Sequence, residues 1–199
     1  MSELHDLRFT PVTRERLDDL KRFCGIRGRH GHGGFAWCGC MRWRMPSSAF
    51  RTATPEQRRQ ALYGLVRHDI PVGILAYSDD EPVAWCSIAP RGTYEAMERS
   101  RTLQRVDDLP VWSVACFFID GRFRAKGVTA RLLGAAVAYA GQQGAVAVEG
   151  YPANPNTSGY NYMGWPAAFA AAGFKDVTPS GAPRQVLRKM LRSPSMPAR

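Results

Sequence analysis

The sequence lacks any long hydrophobic run. A membrane-spanning helix needs roughly 18 or more consecutive apolar residues. No stretch approaches that length, and the most apolar helical segment is interrupted by Arg131. The first residues, MSELHDLRFT, contain no apolar segment of the kind found in signal peptides. We therefore expect a soluble protein with no membrane partner, located in the cytoplasm.

Cysteine is scarce, and its number is odd. The chain has 5 cysteines, which excludes complete pairing in internal disulfides and is typical of a reducing compartment. Four side chains of zinc-ligand type, His30, His32, Cys38 and Cys40, fall close together, but only one residue separates the two cysteines. Structural zinc sites usually leave two to four residues between paired cysteines. We expect small buried thiols and loop histidines here and no metal, although the sequence leaves open whether this segment binds a ligand.

Acidic residues are outnumbered by basic ones. The chain has 17 Asp and Glu against 27 Lys and Arg, a net charge of +10 and an isoelectric point near 9.8. This balance favours a polyanionic partner, which could be nucleic acid, a membrane surface or a phosphate-rich cofactor. The arginines are dispersed over every segment, and the aromatic residues lie mostly inside apolar runs, as core residues do. We therefore do not expect nucleic acid to be the main partner.

Internal repeats and low-complexity linkers are also absent. With 199 residues and 45% hydrophobic residues, the chain is long enough for one domain with a full core, and two compact domains would be small. We predict one domain over residues 1–192, followed by a flexible Ser/Pro tail at 193–199.

The hydrophobic pattern predicts an α/β chain with a mixed sheet. The clearest helix start is Thr54 as cap, Pro55 at the first position and Gln57 as its capping-box partner. Two β-rich runs, at 72–78 and 82–90, predict a hairpin. The other predicted elements are a strand at 4–12, a helix at 14–24 capped by Thr13, a solvated helix at 91–104, strands at 111–119 and 145–152, a helix after residue 127, a helix at 165–174 and one or two edge strands before the tail.

A basic turn follows the apolar strand at 111–119. Arg124, Lys126 and Gly127 stand directly before a helix rich in small residues. The first N–H groups of a helix have no internal partner, and the helix dipole adds about half a positive charge at that end. A strand, a basic glycine turn and a helix start therefore indicate an anion site suited to a pyrophosphate, although a solvated basic loop has the same spacing.

Residues 124–129 resemble the acyl-CoA signature of the GNAT superfamily of acyl-CoA N-acyltransferases. That signature is Gln or Arg, two residues, Gly, one residue, and Gly or Ala; here Arg124 and Gly127 match it and Thr129 departs from it. The strand before the loop, the VEGYP strand after the helix and the segment FAAAGFKDV are also similar to the family. Together the resemblance covers about residues 72–177.

The resemblance implies a fold and an activity. The fold would be a single GNAT-like domain of α/β (α+β) type, with a mixed central sheet, two splayed parallel strands and flanking helices. The activity would be transfer of an acetyl group from acetyl-CoA to a primary amine of a small molecule or peptide by direct attack, with a homodimer left open. The residues implied in cofactor binding are Phe117, Phe118, Ile119, Arg124, Ala125, Lys126, Gly127, Val128 and Thr129.

Proton handling is where the chain departs most from the family. Many members place a Tyr, as acid for the leaving thiolate, at the position of Phe169 in this chain. Glu149, at the end of the buried strand, is the best remaining base, and Tyr151 is expected on the same face. Pairing of Glu149 with a neighbouring arginine is the alternative. Asp107 and Asp108 are reserve candidates for the base.

Two other function classes stay open at this point. A sensor would bind acyl-CoA without turning it over, and a nucleic-acid-binding protein would show strongly salt-dependent association. Measurable turnover with an amine separates an enzyme from a sensor.

Overall fold

A seven-stranded mixed sheet organises the chain. The structure is a computed structural model, and it describes residues 7–25, 40–154 and 161–191. The strands are β1 (Arg8–Pro11), β2 (Ile74–Ser78), β3 (Glu81–Pro90), β4 (Trp112–Ile119), β5 (Ala147–Gly150), β6 (Lys175–Asp176) and β7 (Leu187–Met190). Their order in the sheet is β1-β2-β3-β4-β5-β7-β6. Only β4 and β5 are parallel neighbours within it. The predicted mixed α/β fold is confirmed.

Helices cover both faces of this sheet. Those in the described ranges are α1 (Leu17–Cys24), α2 (Ser47–Thr52), α3 (Pro55–Arg67), α4 (Glu95–Glu98), α5 (Val128–Gln142) and α6 (Pro166–Ala171). None of them is long and apolar enough to cross a membrane.

Local sequence signals correctly predicted several of these elements. The capping box before α3 is confirmed, because Thr54 Oγ1 accepts the Gln57 N–H at 3.2 Å and Gln57 Oε1 accepts the Thr54 N–H at 2.7 Å. The hairpin is confirmed as β2 and β3, with Asp79 at φ +51° in the turn. The helix predicted after Thr13 begins with a 3-10 turn at Arg14–Arg16, and the Thr13 side chain does not cap it.

Two predictions about the later chain were wrong in part. Residues 91–104 were expected to form a solvated helix, but they contain only a 3-10 turn (Arg91–Thr93) and the short α4. Tyr94 and Met97 are fully buried there, so packing into the core replaces helical regularity. One or two edge strands were expected before the tail; β6 lies at an edge of the sheet, whereas β7 is internal and pairs with both β5 and β6.

The two faces of the sheet pack against different helices. On one face, α5 buries Leu132, Leu133 and Ala136 against side chains that include Val114 of β4. On the other face, α1 and α3 pack with Trp85, Phe118 and neighbouring residues. A third cluster on this second face gathers Trp43, Ala96, Ala115, Tyr151 and their neighbours around Tyr94. Side chains alternate along β4, so Ser113 and Ala115 face this third cluster.

Candidate active site

Strands β4 and β5 pair over only three positions and then part. The register joins Trp112 to Val148, Ser113 to Glu149 and Val114 to Gly150. Strand β5 ends at Gly150, whereas β4 continues to Ile119 with β3 on its other side. Across the described residues, positions 115–119 of β4 therefore have no strand partner on the side facing β5. The backbone N–H and C=O groups of this segment that point away from β3 form a free edge at this gap.

An aromatic ring lies where the strands part. Phe169 of α6 is fully buried, and its ring packs against Gly150 so closely that a Cβ there would lie 2.0 Å from its Cε1 atom. The same ring makes edge contacts with Phe117, at 6.1 Å between centroids, and with Phe174, at 5.2 Å. Gly150 is required here because no larger residue leaves room for the ring. Phe169 carries no hydroxyl that could act as an acid at this point.

The basic turn forms a concave loop at the start of α5. Ala125 and Gly127 both have positive φ angles, +57° and +73°. Such conformations can turn successive N–H groups toward one point, as in anion-binding nests. No side chain caps α5, and no acidic residue lies in its first turn, Val128 being its first residue. A Cβ built at Gly127 meets no described atom within 4 Å, so the turn opens to free space.

Arginine and lysine side chains surround this loop. Arg124 Nε donates to the Ile119 carbonyl at 2.9 Å, which ties the loop to the end of β4. The Lys126 ammonium lies 5.7 Å from the Phe123 ring centroid. The structure thus brings together the strand end and the loop that the sequence singled out. An uncapped helix start, a nest and adjacent cations fit the pyrophosphate of an acyl-CoA.

A buried polar cluster occupies the second face of the sheet at the parting. The Tyr151 hydroxyl lies 2.8 Å from Ser113 Oγ, donates to Glu149 Oε2 at 2.9 Å and accepts from Arg91 Nη1 at 2.6 Å. Ser113, Tyr151, Glu149 and Arg91 are each at most 2% exposed. Glu149 and Tyr151 thus lie on one face, as their spacing predicted. We call this group, with Arg188, the Tyr151 cluster.

Arginines compensate the buried carboxylate from two sides. Arg188 donates to Glu149 Oε1 from Nε at 3.0 Å and from Nη2 at 2.6 Å. The Arg188 guanidinium also donates to both carboxylate oxygens of the exposed Asp107, at 2.6 and 3.0 Å. Arg91 lies 3.6 Å from Glu149 Oε2 and binds Glu98 at 2.7 Å. Glu149 is therefore paired with arginine, which was the alternative to its role as a base.

These contacts shift several ionisation equilibria. Burial raises the pKa of Tyr151 well above its ordinary value, and the neighbouring Glu149 charge adds to the effect. The Arg188 hydrogen bond lowers the pKa of Asp107. The Tyr151 hydroxyl therefore keeps its proton at neutral pH. Asp107 and Asp108, the reserve candidates, are both exposed.

Sequence reasoning missed three members of this cluster: Arg91, Ser113 and Arg188. They come from the end of β3, from β4 and from β7, so no local spacing connects them with Glu149. One signal was available, since a glutamate inside a buried strand requires charged partners. The signal did not say which arginines would supply them.

A surface cleft of about 410 Å³ opens beside the third core cluster. Trp43 and Ala96 line it, and both belong to the cluster that contains Ala115 and Tyr151. The Ala96 N–H donates to the Trp43 carbonyl at 3.0 Å, which joins its two walls. We call it the Trp43 cleft. Its lining consists of Arg42, Trp43, Pro46, Ser47, Ser48, Ala96, Arg99, Ser100 and Thr102.

The cysteine nearest this region is used inside the core. Cys40 is buried, and its Sγ accepts the indole N–H of Trp85 at 3.0 Å. His30, His32 and Cys38 lie outside the described residues. Within the part of the chain that is described, no three His, Cys, Asp or Glu side chains come close enough to hold a metal ion.

Comparison with known proteins identifies relatives of this fold. No curated protein sequence matches the chain. Among solved structures, the chain is similar to Drosophila melanogaster polyamine N-acetyltransferase, which forms N-acetylagmatine, with a TM-score of 0.56, 13% identity, and coverage of 94% of this chain and 100% of that chain. It is also similar to the aminoglycoside acetyltransferase AAC(6')-Ib in complex with paromomycin and acetyl-CoA, with a TM-score of 0.56, 16% identity and 93% coverage of each chain.

A third similar structure is the GNAT domain of S. lividans PAT, with a TM-score of 0.56, 19% identity, and coverage of 93% of this chain and 90% of that chain. At these identities the likeness shows the fold. The family assignment comes from a separate comparison, in which the model of the Acetyltransferase (GNAT) family matches residues 37–161, more than half of the sequence. The chain belongs to the GNAT acetyltransferase family.

Proposed function

We propose that this protein is an N-acetyltransferase that moves an acetyl group from acetyl-CoA to a primary amine of a small molecule or peptide. Family membership supports acyl-CoA-dependent acetyl transfer. Two proteins of similar fold are named for acetylation of amines, a polyamine N-acetyltransferase and an aminoglycoside acetyltransferase solved with acetyl-CoA. The observation that carries the proposal is the free edge of β4 beside an uncapped, basic helix start.

The proposed binding site for acetyl-CoA uses backbone groups first. At Phe117, Phe118 and Ile119, the backbone N–H and C=O groups that point away from β3 are free to bond the amides of an extended pantetheine arm, as an added strand would. The Ile119 carbonyl already accepts from Arg124, which leaves its second lone pair for a ligand. The residues proposed to hold the pyrophosphate are Arg124, Ala125, Lys126, Gly127, Val128 and Thr129.

The charge of the protein supports this assignment. Acetyl-CoA carries several phosphate charges, and a net charge of +10 raises the rate at which such an anion meets the protein. A polyanionic substrate of this kind explains the basic composition without nucleic acid. In addition, Trp165 is the one large aromatic side chain that is exposed among the described residues, so stacking surfaces for bases are scarce.

Acetyl-CoA supplies an activated thioester, so the protein itself needs alignment of the amine, stabilisation of the oxyanion and removal of a proton. We assign proton removal to Glu149, acting through the hydroxyls of Tyr151 and Ser113. The chain of hydrogen bonds supports this assignment, because it joins the buried carboxylate to β4 at the parting.

Tyr151 has the second assigned role. Its raised pKa keeps the hydroxyl protonated. Because that proton is donated to Glu149 Oε2, the hydroxyl must first exchange this bond before it can donate toward the leaving sulfur or orient the amine. Phe169 has no hydroxyl to share this task. The remaining source of a proton for the thiolate is water.

A thiol-release assay with acetyl-CoA across a panel of amines tests the proposed function. We expect release of free CoA with at least one amine class and none without an amine. Calorimetry with CoA on the same preparation provides the control for folding and binding. If acetyl-CoA binds and every amine class is inert, the protein is a sensor and the proposed activity is wrong. Strong salt-dependent binding of DNA or RNA with no affinity for CoA would support the nucleic-acid alternative.

A further inference from the structure

The walls of the Trp43 cleft carry positive charge and hydroxyl groups. Arg42 and Arg99 line it together with the hydroxyls of Ser47, Ser100 and two further residues, and no carboxylate contributes to its described lining. Arg42 is half-buried, and in the described structure its guanidinium makes a single polar contact, to Ser47 Oγ at 3.5 Å. A guanidinium has five N–H donors. Most of the donors of Arg42 therefore remain available to a ligand.

Carboxylates close to the cleft are already neutralised. Glu95 binds Arg99 at 2.7 Å, and Glu98 binds Arg91 at 2.7 Å and Arg105 at 2.8 Å. Neither glutamate lines the cleft. A polycationic acceptor, such as a polyamine or an aminoglycoside, would find no free counter-charge among these residues.

The sequence extends this conclusion beyond the described lining. Residues 20–55, which include the first wall, contain no Asp or Glu. Residues 99–106, which follow the second wall, contain none either. The basic residues of the first segment are Lys21, Arg22, Arg27, Arg29, Arg42, Arg44 and Arg51.

The cleft and the proposed reaction centre border the same core cluster. Trp43 and Ala96 of the cleft lining pack in the same cluster as Ala115 and Tyr151. Ala115 is the first residue of β4 beyond the pairing with β5, and it is the extra residue at which the register with β3 shifts. An acceptor whose anionic end lies near Arg42 would therefore need an amine that reaches past this cluster to the parting.

We propose that the Trp43 cleft selects an acceptor amine that also carries an anionic group, a carboxylate or a phosphate. This inference rests on the proposed function and names its substrate class as a small anionic amine. Arg42 is the residue assigned to the anionic group, because a guanidinium binds carboxylate and phosphate oxygens through paired N–H donors. Arg99 at the rim is already paired with Glu95, so the assignment rests on Arg42.

Matched amines separate charge from size. The panel contains β-alanine with its amide, phosphoethanolamine with ethanolamine, and putrescine as a polycation. We expect kcat/KM for each anionic amine to exceed that of its neutral partner by about 10- to 100-fold, the effect of one or two charge-assisted hydrogen bonds. The amide of β-alanine has the more acidic ammonium and hence more free amine, so this bias works against the expected result.

Arg42→Gln is the test variant and Arg51→Gln is its control. Arg51 is an exposed arginine of α2 outside the cleft lining, so both variants lower the net charge equally. Arg42→Gln should reduce the ratio of kcat/KM between each anionic amine and its neutral partner to about one, whatever its effect on the turnover of the neutral amines. Arg51→Gln should keep the preference. Equal turnover of charged and neutral partners, or a preference for putrescine, would overturn the proposal.

A binding measurement distinguishes this proposal from the proposed function. Ligand-observed NMR with β-alanine and phosphoethanolamine on the CoA-loaded protein reports the cleft without turnover. Binding that is lost in Arg42→Gln, in a protein that acetylates no amine, would support the anionic site and overturn the enzyme assignment. Turnover of neutral amines with no detectable binding of either anionic probe would do the reverse.

Discussion

The hydroxyls of Ser113 and Tyr151 lie 2.8 Å apart and join β4 to the residue that follows β5, at the point where the two strands separate. Tyr151 in turn donates to Glu149, which Arg188 holds from the other side. One hydrogen-bonded chain therefore runs from the parting into a buried, charge-compensated cluster. Such networks stabilise when every member is satisfied and cost free energy when one partner is removed.

Tyr151→Phe tests whether the Tyr151 hydroxyl acts in turnover as well as in stability. The variant leaves Ser113, Glu149 and Arg91 each without one buried partner, and we expect the free energy of unfolding to fall by about 1–3 kcal/mol. The turnover number should fall as well. Tyr94→Phe is the matched control, because Tyr94 is a fully buried tyrosine of the same core cluster whose hydroxyl contacts Ser87 at 3.0 Å. Urea unfolding measures the stability of both variants, and the thiol-release assay measures their turnover. An equal loss of turnover in Tyr151→Phe and Tyr94→Phe would contradict a catalytic role for the Tyr151 hydroxyl.

Glu149→Gln tests the proposed base. Removing the charge leaves two buried guanidinium groups with less compensation, so we expect a loss of about 3–5 kcal/mol in stability. If Glu149 removes the proton, the turnover number of the folded variant should also fall. Asp107→Asn removes a carboxylate from the exposed side of the same Arg188 and should cost at most about 1 kcal/mol. A folded Glu149→Gln protein that keeps its turnover number would leave Glu149 as a structural ion-pair partner only.

Gly127→Asp should abolish the binding of acetyl-CoA. It places a carboxylate in the nest where the pyrophosphate is proposed to lie, and it strains a backbone with φ +73°. Gly144→Asp is the control for strain, since Gly144 has φ +82°, meets no described atom within 4 Å of a built Cβ, and follows the opposite end of α5. Calorimetry should show a loss of acetyl-CoA affinity in the first variant alone. Unchanged affinity in a folded Gly127→Asp protein would show that the phosphate site lies elsewhere.

Stability should fall at alkaline pH because of Cys24. Burial raises the pKa of this thiol to about 12, against about 8.5 in an unfolded chain. Above about pH 8.5 the unfolded state therefore loses the proton first. The contribution of the protonated Cys24 thiol to the free energy of unfolding is fully present below about pH 8.5. It is lost, at up to about 1.4 kcal/mol per pH unit, as the pH rises toward 12.

In Cys24→Ala, the free energy of unfolding should decrease less steeply as the pH rises. Urea unfolding between about pH 8 and pH 10.5 measures the slope, which is independent of the constant cost of the smaller side chain. Equal slopes in the variant and in the original protein would show that Cys24 does not contribute. In the Cys24→Ala variant, part of the decrease in the free energy of unfolding with pH should remain. Burial also raises the pKa of other thiols and phenols, such as Cys86 and Tyr77.

The elements that the sequence predicted correctly are those built from neighbouring residues. The capping box of α3 uses hydrogen bonds between Thr54 and Gln57, and the hairpin needs only two alternating runs and a turn. The segment at 91–104 was misread because its polar residues suggested solvent. The burial of Tyr94 and Met97 depends on Trp43 and other residues distant in sequence.

The same distinction applies to the candidate site. A strand end, a turn with two positive φ angles and a helix start are consecutive in the chain, so local residue types alone were enough to propose an anion site around Gly127. The Tyr151 cluster joins groups from β4, β5, β7 and the end of β3. Its partners, Arg91 and Arg188, are 58 and 39 residues from Glu149. Only the tertiary structure decided them, because a buried carboxylate requires a positive charge but its sequence position does not determine which strand supplies it.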